Sequence, residues 1–339
     1  MSGRPRAVPR VRDAQPGGPE IVVVGAASRD LALDDERGWR LGGGVTYAAL
    51  QGARLGVRTA AVIGLDRPAF DATELGLLAG AGVELLRVPL SHGPVFRNVE
   101  SPGGRIQTCL DPGRPLPMVD VPGPWRDASA WILAPVAGEL EERWSDRMRA
   151  DALVALGWQG MLRTLRAGTR VGRRAPAHGG LVARADLVAL SEHDLAADAR
   201  PEELAAFLKP GAWLVVTAGA TGGWLADVTP DGLGPPLRYP AIAAAREVDA
   251  TGAGDSFLAA LVASLLGMGD AAGAARREDA GGDPLEGHPL APRLRFAAAA
   301  ASFTVEGPGL STVPDRAAVL GRLAGPAAQS FAESPFSAT

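Results

Sequence analysis

Two aspartates bracket a turn of small residues in "DATGAGDSF", residues 249–257, and the chain then runs into unbroken apolar sequence. Gly252 and Gly254 can take backbone angles closed to other residues, and Ala253 between them adds little bulk. Successive amides in such a turn can converge on one anion. The helix predicted over "DSFLAALVASLL" starts at the same point, with its free N–H groups and the positive end of its dipole. No charge follows Asp255 along it and it is apolar nearly all round, so it is expected to be buried. A dipole aimed through low-dielectric surroundings acts more strongly than one at the surface.

Asp255 then has two readings. In the first turn of a helix a carboxylate accepts a backbone N–H and favours the dipole, contributing about 1 kcal/mol. Beside a phosphate cradle it takes the proton of an attacking hydroxyl as the new bond forms. The amides would hold the charge that develops on the transferred phosphoryl group. Residue type and spacing leave both open.

Other chemistries are excluded by composition. Lys209, the only lysine, is followed by Pro210 and Gly211, so no GxxxxGK[ST] phosphate loop exists. GxGxxG and the GxSxG nucleophile elbow are missing too. Cys109 stands alone, which removes intrachain disulfides and thiolate zinc sites. The four histidines are scattered, form no HExxH pair, and read as surface or packing residues. A net charge of −4 argues against a nucleic-acid surface. Apolar stretches such as Phe257 to Leu266 are too short to cross a bilayer, and no signal-peptide pattern opens the chain. Cytoplasm is the expected compartment.

The elements that must position the turn follow an alternating order. Strands are expected at "IVVVG" (21–25), "TAAVIG" (59–64), "AWILA" (130–134), "DLVAL" (186–190) and "WLVVTAG" (213–219). Helical patterns occupy "VTYAALQGARLG" (45–56) and "PEELAAFL" (201–208), the latter with Pro at its first turn. Alternation of this kind implies an α/β fold, a mainly parallel sheet with helices on both faces. Residues 83–110 break the rhythm as three consecutive strands, with "SPGG" (101–104) as a hairpin turn. They read as a small flap, as a sheet edge, or as an ordinary hairpin. One domain is expected over 20–324, with a disordered arm at 1–19, a surface loop at 269–292 and a loose tail at 325–339.

The nine-residue turn resembles the C-terminal signature of the ribokinase-like (PfkB) carbohydrate kinases, D-[ST]-x-G-A-G-D-x-F. The resemblance extends from about Ile21 to Leu323 and implies a three-layer α/β/α sandwich with a small, reduced β lid. It implies that Gly252, Ala253 and Gly254 form an anion hole, with Asp255 as the catalytic base. "ASRD" after the first strand is similar to the family's acceptor contact and makes Asp30 a ligand for substrate hydroxyls; a solvated turn residue is the other reading. "GGGVTYAALQGARLG" (42–56) resembles the family's glycine pair before a helix, so Gly42 and Gly43 would let the backbone approach the substrate. Tyr47 stands where ribokinase uses Asn and joins them as a substrate contact, which turns the reading from ribose towards inositol or a nucleoside.

"ALSEHDL" falls where the family has N-x-x-E, which makes Ser191 and Asp194 candidates to hold Mg²⁺ through water. A helix N-cap, Ser191 with Asp194 three residues on, is the rival. "VVTAGATGG" resembles the nucleotide-binding turn, giving Thr217, Gly219 and Gly222, with Thr251, as contacts to ATP. "RFAAAAASFTVEGPG" (295–309) is similar to the segment that flanks the adenine. The segment from Asp30 to Gly42 is too short for the family's long flap, so any lid is expected within 83–110. "ALGWQGMLR" (155–163) lacks the Asp of the family's D-x-N-x-R segment; its Gln159 and Arg163 either face the cleft or cap a strand.

The reading is therefore an ATP- and Mg²⁺-dependent kinase, monomeric or homodimeric, acting on a hydroxyl of a small polyol such as a sugar, inositol or nucleoside. The alternative is a nucleotide- or sugar-binding module of the same fold without turnover.

Overall fold

The computed structural model describes residue 14 and residues 17–99, 106–196, 199–268 and 288–325. The hairpin turn expected at 101–104 lies outside the described residues, as do most of the expected arm, the 269–292 loop and the tail.

Seven parallel strands form the middle of the molecule: β1 (Ile21–Ala26), β4 (Thr59–Leu65), β5 (Glu84–Pro89), β8 (Ala130–Leu133), β9 (Leu153–Gly157), β13 (Leu187–Ser191) and β14 (Trp213–Thr217). Their spatial order is β14-β13-β9-β8-β1-β4-β5. Three antiparallel strands finish the β14 edge: β15 (Gly223–Thr229), β16 (Gly232–Leu233) and β17 (Leu237–Tyr239). β1 and β4 are buried at every position. That explains their unbroken apolar sequence, since a strand covered on both faces has no polar side to alternate with.

The two faces are covered differently. Ile21, Val23, Ala61 and Ile63 point into a core shared with α1 (Gly44–Arg54), α2 (Thr73–Gly80), α4 (Ala253–Ala263), α5 (Ala291–Thr304) and α6 (Arg316–Ala324). Val22, Val24, Ala60 and Val62 point the other way, into a core with Trp125, Trp131, Trp144 and Trp158. Full α-helices were expected there as well. The face instead carries one short helix, α3 (Gly180–Arg184), and 3-10 turns at Gly123–Asp127, Glu142–Arg147, Trp158–Leu162 and Pro201–Phe207. The helix expected at 201–208 is the last of these. The four buried tryptophans fill much of the volume that long helices would occupy.

A second sheet lies beside the first, in the order β11-β7-β6-β2-β3. It contains β2 (Ser28–Leu31), β3 (Trp39–Gly42), β6 (Pro94–Val99), β7 (Ile106–Pro112) and β11 (Thr169–Arg170). Two expectations are corrected here. Of the three strands at 83–110, the first is β5, an edge of the main sheet paired with β4 from Ala60↔Glu84 onward, so for it the sheet-edge reading holds and the lid reading does not. The segment from Asp30 to Gly42, expected to be too short for a flap, supplies β3 and the end of β2. The sheet gathers strands from three distant parts of the chain, so no local pattern announces it. A small two-stranded ribbon, β10 (Arg163–Thr164) with β12 (Gly172–Arg173), lies close by in sequence to β11.

Candidate active site

The carboxyl ends of the parallel strands form the crevice where open α/β sheets bind ligands. Gly43, between β3 and α1, has φ 92°. A Cβ there would fall 2.7 Å from the Ala26 carbonyl oxygen and 2.9 Å from the Ser28 nitrogen, so only glycine passes. Next to it, a Cβ on Gly42 would meet Asp30 Oδ2 at 2.1 Å, which places that carboxylate directly against the backbone. Ser28 donates its hydroxyl to Asp30 Oδ1 at 3.2 Å. Asp30, Gly42 and Gly43 are thus brought together.

The turn at 249–257 separates its two aspartates by role. Asp249 Oδ1 accepts the Thr251 amide at 2.9 Å and the Thr251 hydroxyl, pinning the turn. Gly252 is the N-cap of α4 with φ 79°, a left-handed geometry. Asp255 sits in the first helical turn, yet among the described residues its carboxylate caps nothing. Burial raises its pKa to about 6, against the pull of the Arg163 charge and with a push from Asp194. A Cβ on Gly44 would lie 2.6 Å from Asp255 Oδ1, so the first residue of α1 packs on this carboxylate. Gly44 escaped the sequence reading; its only signal was a third glycine after Gly42 and Gly43.

Tyr47, expected to touch substrate, is buried. Its ring lies where a Cβ on Gly252 would be, 2.2 Å from the ring edge. The ring therefore packs directly on the Gly252 backbone, which is possible because Gly252 has no side chain.

On the opposite side, Ser191 and Asp194 form a capping box around the 3-10 turn Glu192–Asp194. The Ser191 amide donates to Asp194 Oδ2 at 2.9 Å, and the His193 amide donates to Ser191 Oγ at 3.2 Å. The capping reading is thus realised, while the Asp194 charge still acts on Asp255. Among the described residues, no three His, Cys, Asp or Glu side chains gather to hold a metal. Asp194 Oδ1 takes no part in the Ser191 amide bond, and one carboxylate oxygen of this kind fits a magnesium ion kept largely in its own water.

Thr217 ends β14, and its hydroxyl reaches the Leu190 carbonyl at 3.4 Å. Gly219 is exposed with φ 55°, and a Cβ there would meet open space. Gly222 differs: it has φ 96° and is buried, and a Cβ would strike the Tyr239 carbonyl oxygen at 2.1 Å. Packing against β17 accounts for that glycine, so of the two it is Gly219 that faces outward.

Two further residues complete the site. Glu139, on the loop after β8, is 4% exposed and accepts amide protons from Ala26 (2.9 Å), Ala137 (2.8 Å) and Val136. It ties the end of β1 to the loop after β8, and burial raises its pKa. A single Glu after "APVAG" carried no sequence signal for this. Arg163 donates to the Val136 carbonyl at 3.4 Å, and its charge acts on Asp255.

Residues 175–316 match the family described as pfkB family carbohydrate kinase, a span that contains the whole 249–257 turn. The match to the PfkB carbohydrate kinases thus covers residues 175–316, and the chain has a ribokinase-like fold. No curated protein matches the kinase by sequence. Among solved structures it is similar to ribokinase from Arabidopsis thaliana in complex with ribose and ATP, at 22% identity and TM-score 0.61, over 90% of this chain and 99% of that one. Ribokinase from Giardia lamblia gives 15% identity and TM-score 0.64, over 91% and 99%. A pyrophosphate-dependent kinase of the ribokinase family, bound to a pyrophosphate analog and myo-inositol, gives 18% and 0.60, over 89% and 99%. The match makes carbohydrate kinase the enzyme class. No helix among the described residues of the kinase is long and apolar enough to cross a membrane.

Proposed function

We propose that this kinase transfers the γ-phosphoryl group of ATP to a hydroxyl of a small polyol, with Asp255 as general base. One observation carries the reading: a carboxylate with pKa raised to about 6, beside a left-handed glycine turn, whose position in the helix invites capping and which caps nothing. A base of that pKa is ionised at neutral pH and still basic enough to accept the hydroxyl proton as the O–P bond forms. The amides at Gly252 and Gly254, with the N-terminus of α4, face the charge that grows on the phosphoryl oxygens; the Ala253 amide, expected to join them, donates to the Ala250 carbonyl at 3.4 Å, a long bond that an anion would compete with. Asp30 accepts hydrogen bonds from the acceptor's other hydroxyls while Gly42 and Gly43 let the backbone come close. Thr217, Gly219 and Thr251 lie on the donor side. Asp194, with Ser191 behind it, would hold magnesium through water; when bound, that ion spreads the charge of the donor phosphates.

The experiment is ADP release from ATP and Mg²⁺ with pooled sugars, inositols and nucleosides, for wild type and Asp255→Asn. Acceptor-dependent release that falls by roughly 10²-fold or more in the variant supports the base assignment. Nucleotide binding without turnover on any pool would instead make this a binding module of the same fold.

A further inference from the structure

The stretch that leads into the 249–257 turn, residues 243–248, is irregular and mostly exposed, with Val248 at 50%. Such a segment moves unless bonds fix it, and a cradle stabilises charge only if its amides are already in place. Here the bonds run to two consecutive residues just past the end of α5. The Val305 carbonyl accepts the amides of Val248 (2.8 Å) and Asp249 (3.2 Å). Glu306 holds the residues before them: its Oε1 accepts the Ala245 amide at 2.6 Å, and its carbonyl accepts Arg246 Nε at 2.9 Å. Asp249, placed in this way, in turn holds the amide and hydroxyl of Thr251, the residue before Gly252.

Glu306 is itself clamped from the far side. Arg322 on α6 brings Nη2 to Glu306 Oε1 at 2.7 Å, and its Nη1 donates to Ser302 Oγ at 2.8 Å. The guanidinium lies over the Phe303 ring, 3.2 Å from its centroid. The two charged side chains are 14% and 11% exposed. A pair this far out of water loses much if either partner goes, because the other charge is left without compensation. Arginine suits the post, since one planar group serves the carboxylate, the serine and the ring at once. A single oxygen, Glu306 Oε1, thus joins the guanidinium on α6 to the segment that enters the turn.

We infer that Glu306, clamped by Arg322, is a positioning residue for the phosphate cradle: it fixes the entry to the turn and so sets where the Gly252 and Gly254 amides and Asp255 stand relative to the transferred group. The inference rests on the proposed phosphoryl transfer. Asp30, Gly42 and Gly43 belong to other elements, β2, β3 and the start of α1. The clamp therefore acts on the chemical step and leaves acceptor binding alone.

Two measurements test it on the full chain, for wild type, Glu306→Gln, Arg322→Met and Arg322→Lys. One is steady-state kinetics with ATP, Mg²⁺ and whichever pooled acceptor responds; the other is hydrogen exchange without ligands. Glu306→Gln keeps the size of the side chain and removes its charge. It should lower kcat about tenfold or more and leave KM for the acceptor within about twofold. Exchange at the amides of Val248, Asp249 and Thr251 should quicken at least tenfold while β1 and β4 keep their protection. Arg322→Met should match it on both counts, and Arg322→Lys, which keeps the charge, should stay closer to wild type. An unchanged kcat, a rise in acceptor KM as large as the fall in kcat, or wild-type exchange at the turn each overturns the inference. If wild type turns over no acceptor, the transfer reading falls by itself, and exchange at the turn still decides whether the pair holds it.

Discussion

Asp255 is costly to the fold in the state that catalysis needs. Its pKa is about 6 in the folded chain, against an ordinary carboxylate value near 4 when unfolded. The folded protein therefore holds its proton more tightly, and stability falls as pH rises from about 4 to about 6, then levels off. Activity runs the other way, because only the ionised carboxylate accepts a proton. log(kcat/KM) should rise with unit slope below pH 6 and flatten above it, and a pH profile checks this. Asp255→Asn should be the more stable protein at pH 8, by about 1–2 kcal/mol after allowing for partial solvent screening, with the gain vanishing near pH 4. Thermal melts at the two pH values read that difference. Gly44 guards the same carboxylate. Gly44→Ala would put a methyl carbon 2.6 Å from Asp255 Oδ1, closer than the two can sit, and the displaced base should cost on the order of 10²-fold in kcat. Single-turnover kinetics would show the loss in chemistry and not in donor binding.

At the scale of elements, the site depends on strand ends being held in register, and Glu139 does much of this. Its carboxylate gathers amides from Ala26 and from Val136 and Ala137 in a buried position. Glu139→Ala leaves those donors without acceptors, and chemical denaturation should report a loss of about 2–4 kcal/mol. Legibility in the sequence follows the same division between local and distant pairing. β1, β4, β8, β13 and β14 were readable because strands buried on both faces give continuous β-branched runs. The cradle was readable because all its parts lie within nine residues. Glu139, Gly44 and the tryptophan-filled face were not, since each acquires its role from a partner far along the chain. The packing of the Tyr47 ring on Gly252 was illegible for the same reason: the two lie far apart along the chain.

At the scale of the whole molecule, two sheets must keep a fixed relation for Asp30 to face Asp255, and one buried carboxylate fastens them. Asp66, just past the end of β4 in the main sheet, is 5% exposed. Its Oδ2 accepts both Nε (3.0 Å) and Nη2 (2.8 Å) of Arg29 on β2, and the amide of Gly93 just before β6 at 3.4 Å. The roots of two strands of the second sheet thus converge on a side chain of the first. Removing it leaves the Arg29 charge partly buried without its partner, a loss that the main core can survive because none of its apolar contacts is touched. Asp66→Ala should therefore loosen one sheet and spare the other. Hydrogen exchange is expected to quicken at least tenfold in 28–31 and 94–99 while β1 and β8 keep their protection. KM for the acceptor should rise more than KM for the donor, because Asp30 travels with the second sheet whereas Thr217 and Gly219 do not. Uniformly faster exchange across both sheets would mean that they unfold as one unit, and the acceptor wall could not then move independently of the base.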